Sequence, residues 1–127
     1  MDLSVLVVDD DAAFVEVVCR GLRSAGYGVA GLTDGANALR AIADDPPDIL
    51  ITDIFMPDVE GIQVIATVRR AHPKMYIVAM SGRPLFHTLG VLNLAERLGA
   101  DATLTKPFSI EELTTVLARL TERRHFL

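Results

Sequence analysis

The chain has no tryptophan and a single cysteine, Cys19, and these two shortages narrow its class before any motif is read. One cysteine excludes an internal disulfide, so the fold must rest on its core, and a reducing, cytoplasmic setting is the expectation. No apolar stretch is long enough to span a bilayer, and no basic-then-apolar leader opens the sequence, so no membrane partner is expected. Lysine and arginine form no run, and the formal net charge is -5 at pH 7. An acidic chain without a basic stripe argues against nucleic acid as a partner. There is also no internal repeat, no low-complexity tract and no Gly-rich phosphate loop of the Walker or dinucleotide type.

Apolar residues make up half of the 127 positions and charged ones 23%, which fits one globular domain over residues 1–127 with a core of its own. Short apolar runs at Val5 to Val8, Gly28 to Leu32, Ile49 to Thr52, Tyr76 to Met80 and Ala102 to Leu104 read as buried strands. Between them lie amphipathic segments of helical period. Phe14, Val17, Val18, Leu22 and Ala25 share one face of the first, and Ile62, Ile65 and Val68 line the third. Ile110, Leu113, Val116, Leu117 and Leu120 line the last, which Ser109 and Glu112 open as a capping box. Five strands alternating with five helices predict an α/β, doubly wound parallel sheet, whose ligands bind beyond the carboxyl ends of the strands.

The residues at those ends carry the chemistry. Asp9 and Asp10 follow the first run, Asp53 the third, Ser81 the fourth and Lys106 the fifth. In "VLVVDDDAAF" three aspartates stand side by side, and like charges 4 Å apart repel by roughly 1 kcal/mol per pair in water and by more near a protein surface. A divalent cation offsets that repulsion, and the hard oxygens of Asp9, Asp10 and Asp53 suit Mg²⁺ or Mn²⁺. Asp53 can also attack a phosphoryl group, with the metal, Lys106 and Ser81 neutralising the transferred oxygens. Asp11, where the first helix begins, reads as a helix cap rather than a metal ligand. Asp58 and Glu60, in "MPDVEG", read as turn residues between Pro57 and Gly61. His72, His87 and His125 lack ligand spacing to one another, and Cys19 reads as a packing residue.

With these residues in this order, the sequence resembles the receiver domain of bacterial two-component response regulators, from Leu3 to about Leu120. The resemblance implies a flavodoxin-like five-stranded sheet of order 2-1-3-4-5. It implies Asp53 as phosphoacceptor, Asp9 and Asp10 as the acidic metal pair, the backbone carbonyl of Phe55 as a further metal ligand, and Ser81 as the switch hydroxyl. Lys106 pairs with the phosphoryl group, aimed by a cis bond to Pro107. Implied partners are a sensor histidine kinase or a histidine phosphotransfer protein, which donates from phosphohistidine. A downstream protein is expected on the helix 4–strand 5–helix 5 face. No enzymatic activity beyond self-phosphorylation and self-dephosphorylation is expected; the leading expectation is a stand-alone receiver that signals by contact or relays phosphate, with a piece of a longer regulator as the open alternative.

Three features depart from the family pattern. Thr103 stands three residues before Lys106, where relatives carry an aromatic that turns inward with the switch. The segment "GRPLFHTLG" lengthens the stretch between Ser81 and Lys106, and Leu85, Phe86, Leu89, Val91, Leu92, Leu94 and Leu98 give the fourth helix a broad apolar stripe, which reads equally as a well-buried helix or as a surface for a homodimer or other partner. Phe55 and Arg83, each two residues past a site residue, would shield the phosphoryl group from water, while Gly82 leaves it room to enter. Two rival readings remain: a phosphorylation-independent interaction module with a vestigial site, and a phosphohydrolase of haloacid-dehalogenase type. The latter wants a second acid where this chain has Phe55.

Overall fold

The computed structural model describes residues 3–56, 61–82 and 93–125. In chain order these form β1 (Ser4–Val8), α1 (Ala12–Ser24), β2 (Gly28–Leu32), α2 (Gly35–Asp44), β3 (Ile49–Asp53), α3 (Gly61–Ala71) and β4 (Tyr76–Ser81). A helical segment at 93–98, α4, then leads to β5 (Ala102–Thr105) and α5 (Ile110–His125). The strands make one sheet of order β2-β1-β3-β4-β5, and every neighbouring pair is parallel. No described helix is long and apolar enough to cross a membrane.

Alternation along each strand sends side chains to two separate cores. Val5, Val7, Ile49, Ile51, Val78 and Met80 pack with α1 and α5 on one face. Leu6, Val8, Leu50, Ile77 and Ala79 pack with α2, α3 and Ala95 of α4 on the other. Each central strand is covered on both faces. The expectation of five buried strands holds for the central three but not for β2, where Gly28, Ala30 and Gly31 are exposed, or for β5, which is only half-buried. An edge strand has cover on one flank only, so its small residues stay open to water. β3 and β4 also run one residue further than expected, so Asp53 and Ser81 end their strands instead of following them.

The face of α1 needs a correction too. Val15, Val18, Cys19 and Leu22 are its buried residues, whereas Val17 is 62% exposed. The segment holds two overlapping stripes that share Val18 and Leu22, and the sheet selects the one that includes the cysteine. Asp11 caps this helix, accepting the Phe14 N–H at 3.2 Å. At α5 the capping box forms as the sequence indicates: the Glu112 N–H donates to Ser109 Oγ (3.0 Å) and the Ser109 N–H to Glu112 Oε1 (3.3 Å). The Lys106–Pro107 bond just before it is cis.

Below the sheet, Arg69 joins elements far apart in sequence. Its guanidinium donates from Nε and Nη2 to the Gly99 carbonyl (2.9 and 2.8 Å) and from Nη1 to the carbonyls of Pro73 and Met75 (2.8 and 2.9 Å). Nη2 also meets Asp101 Oδ2 at 2.7 Å, and that oxygen accepts the Ile77 N–H as well. Gly99 has φ +129°, and a Cβ there would fall 2.6 Å from Arg69 Cγ, so glycine is required twice over. Arg69 therefore fastens the end of α3, the start of β4 and the turn after α4 together. Arg69→Ala is expected to lower unfolding free energy in urea by about 2–4 kcal/mol, because several acceptors lose one shared donor. Arg69→Lys should recover only part of it, since an ammonium cannot reproduce the planar fork.

Candidate functional site

The parallel register brings the carboxyl ends of β1, β3, β4 and β5 to one edge: Val8 lies opposite Thr52, Asp53 opposite Met80 and Ser81 opposite Thr105. Asp9, the first residue past β1, is 1% exposed. Its backbone N–H donates to the Leu32 carbonyl (3.2 Å), and its Oδ1 accepts the Asp11 N–H (2.9 Å). Oδ2 of Asp9 meets Lys106 Nζ at 2.5 Å, and the same ammonium stands 3.6 Å from Asp53 Oδ2. Asp53 is buried and Asp10 exposed. Asp9, Asp10 and Asp53 each offer an oxygen within 4.8 Å of the others. Three carboxylates against one ammonium leave an excess of negative charge, and the donors are all hard oxygens. That set fits a small divalent cation of the Mg²⁺ or Mn²⁺ kind.

Ser81 is fully buried at the end of β4, and its carbonyl accepts the Lys106 N–H at 2.8 Å, which locks the lysine's backbone beside it. Gly82 flanks the lysine stem, where a Cβ would sit 3.4 Å from Lys106 Cβ and Cδ. The Phe14 ring lies on the ammonium, 4.4 Å from Nζ to the centroid. Thr103 is half-buried on β5 opposite Ala79, so it faces the core that α4 covers. Phe55 is half-buried against that same core. Arg83, Asp58, Glu60, His87 and the stripe residues Leu85, Phe86, Leu89, Val91 and Leu92 lie outside the described residues. Of that stripe, Leu98 packs against the core and Leu94 is 45% exposed.

The family model of the response regulator receiver domain matches residues 5–118. The chain belongs to the response regulator receiver domain family. Response regulator MprA of Mycobacterium bovis is 36% identical over 128 residues, covering 97% of this chain and 52% of that protein. Transcriptional regulatory protein PrrA of Mycobacterium tuberculosis is 38% identical over 120 residues, covering 94% and 50%. The chain thus spans about half the length of the curated relatives it matches. The crystal structure of the receiver domain of NtrX from Brucella abortus superposes with a TM-score of 0.86 at 28% identity, over 93% of this chain and 98% of that one.

Gly61 is a residue of this receiver that the sequence showed only as turn punctuation. It opens α3, its N–H donating to the Ile54 carbonyl at 3.0 Å. A Cβ at Gly61 would fall 1.8 Å from the Asp53 carbonyl oxygen and 2.7 Å from Ile54 Cα. Backbone meets backbone there, directly behind Asp53. Gly61→Ala should therefore cost about 2 kcal/mol or more in chemical denaturation and weaken Mg²⁺ binding by moving Asp53.

Burial pushes the Asp53 carboxyl above its ordinary range, opposed by the Lys106 charge, reinforced by Asp9, and opposed again by the backbone N–H groups of Phe55 and Ile54. A raised value means that the folded protein holds this proton where the unfolded chain has lost it. Without metal, stability therefore falls as pH rises from the unfolded value through the raised folded one, and above that window ionised Asp53 weakens the fold. Metal-free Asp53→Asn is expected to melt about 2–5 °C above the parent at pH 7–8, with the gain shrinking as pH falls through the raised folded value and vanishing only below the ordinary aspartate value of the unfolded chain. Saturating Mg²⁺ should close the gap by raising the parent more than the variant, as scanning calorimetry with and without chelator would show.

Proposed function

We propose that Asp53 is the phosphoacceptor of this receiver and that the donor is a phosphohistidine of a sensor kinase or histidine phosphotransfer protein. One observation carries the reading: a single ammonium, Lys106, is shared between buried Asp9 and buried Asp53 at the strand edge where a third carboxylate completes a cation site. An oxygen of Asp53 donates a lone pair to phosphorus as the P–N bond of the donor breaks, and that electron pair returns to the imidazole nitrogen. The product is an aspartyl phosphate. Asp9, Asp10 and Asp53, with the Phe55 carbonyl, would hold a Mg²⁺ or Mn²⁺, which would supply neutralising charge to the transferred oxygens.

The chain's own residues do the rest. Lys106 exchanges part of its contact with Asp9 and Asp53 for a phosphoryl oxygen, keeping positive charge on the developing anion. Ser81 offers a hydroxyl from the end of β4. Phosphorylation adds charge and strong acceptors at this edge, and the surface of α4, β5 and α5 responds as the face read by a downstream protein. Thr103 supplies no ring to that response, so output from this face relies on Ser81, Lys106 and the helices. Phe55 and Arg83 are the two positions we assign to shielding the acyl phosphate from water. The single, buried cysteine suits a reducing, cytoplasmic setting.

Intact mass after incubation with a small acyl-phosphate donor and Mg²⁺ tests the reading. The parent should gain one phosphoryl unit, lose that gain when the metal is chelated, and show none as Asp53→Asn. A parent that gains nothing under rapid quenching and several donors overturns it in favour of a phosphorylation-independent interaction module.

A further inference from the structure

Phe14 belongs to the first turn of α1 by sequence and to the site by position. Its N–H is tied to the Asp11 cap, the residue that follows Asp9 and Asp10 in the chain. The sheet does not use it as the centre of the α1 stripe, which runs through Val15, Val18, Cys19 and Leu22. Its ring lies instead with Lys106 Nζ 4.4 Å from the centroid, inside the roughly 6 Å over which a ring face attracts a cation. Phe108 meets the same ring edge-on, with centroids 5.9 Å apart and planes at 87°. That is the arrangement aromatic quadrupoles favour, and it fixes the plane of Phe14. Both rings are partly buried against the core beneath α1 and α5.

Among the described residues the ammonium touches Asp9, Asp53 and the Phe14 ring. Only about a fifth of the lysine side chain (21%) remains exposed. A lysine stem is flexible, and its strongly hydrated head gains by turning out to water. Gly82 lies along the stem without a side chain to restrain it. The ring face gives the ammonium an attractive surface that accepts no competing hydrogen bond in its own plane, leaving the N–H groups for the carboxylates. Its neighbours on α1 have other tasks: Asp11 is committed to the cap, and Val15 is buried against the sheet.

We propose that Phe14 is a positioning residue for Lys106: its ring face, held in plane by Phe108, keeps the ammonium between Asp9 and Asp53, ready to meet a phosphoryl oxygen. The inference rests on the reading of Asp53 as phosphoacceptor. It assigns to Phe14 an effect on rate that packing alone does not produce, since a leucine fills much of the same apolar contact.

The test is the second-order rate constant for phosphorylation by a small acyl-phosphate donor with Mg²⁺, measured for the parent, Phe14→Leu, Phe14→Met and Phe14→Tyr, each also on a Lys106→Ala background. Phe14→Leu and Phe14→Met should be slower by about three- to tenfold, and Phe14→Tyr should stay within about twofold of the parent. On the Lys106→Ala background the leucine and methionine changes should have no further effect, because the partner of the ring is gone. The Lys106 ε-methylene proton resonances, shifted by the ring in the parent, should move in Phe14→Leu and stay in Phe14→Tyr, a readout that needs no phosphoryl transfer. Equal rates for parent and both apolar variants, or the same slowing with and without Lys106, overturn the inference while Asp53 phosphorylation stands. A parent that accepts no phosphoryl group overturns the reading beneath it, and the inference with it.

Discussion

The carboxyl edge of the sheet is built around a charge imbalance that the fold tolerates in order to do chemistry. Asp9, Asp10 and Asp53 converge within a few ångströms, and Lys106 is the one ammonium in ion-pair contact with them among the described residues. Two of the carboxylates are buried, where an uncompensated charge is most costly. Lys106 answers only part of that cost. What remains suits the cleft to a cation and leaves the lysine in demand by two acids at once, while burial lifts the Asp53 carboxyl above its ordinary range.

The sheet is what holds that imbalance in place. Each acidic or basic residue is the last of a strand or close beyond it, and the strands are clamped by two apolar cores that share no residue. Behind Asp53 the backbone of α3 approaches so closely that only glycine fits at Gly61. Behind Lys106 the lysine's own N–H is pinned to Ser81. The reactive side chains can adjust while the backbone atoms that carry them cannot, which is the division a phosphoryl-transfer site needs between fixed geometry and responsive charge.

Much of this was legible in the sequence because strand ends are legible. Val5 to Val8, Ile49 to Thr52 and Tyr76 to Met80 are dense in β-branched and apolar residues, and the chemistry begins where each run stops. Asp9, Asp53 and Ser81 follow from that rule, Lys106 from the shorter run Ala102 to Leu104, and Asp11 and the Ser109–Glu112 box from capping chemistry. The phase of α1 was not legible: its segment carries two stripes, and only contact with β2, where Gly31 admits Val15 and Cys19, decides between them. Nor could pattern reveal the Arg69 clamp, whose acceptors are mostly backbone carbonyls with no residue signature. Phe14 escaped for a related reason, since its partner Lys106 is distant in the chain and becomes a neighbour only when the sheet closes.

The strand order has a consequence for how the chain comes to be. β1 is synthesised first but sits between β2 and β3, and Val5 and Val7 reach their neighbours Ile49 and Ile51 only after two helices and another strand have been made. At ordinary ribosomal speeds of about 5–20 residues per second, the nascent chain presents an apolar, half-paired strand for a few seconds before its second neighbour exists. Asp9, Asp10 and Asp11 follow that strand at once, and like charges on an emerging segment discourage it from pairing with other chains. Two residues of the cation-type cluster, Asp9 and Asp10, thus stand with the helix cap Asp11 where like charge keeps the newly made first strand apart from other chains.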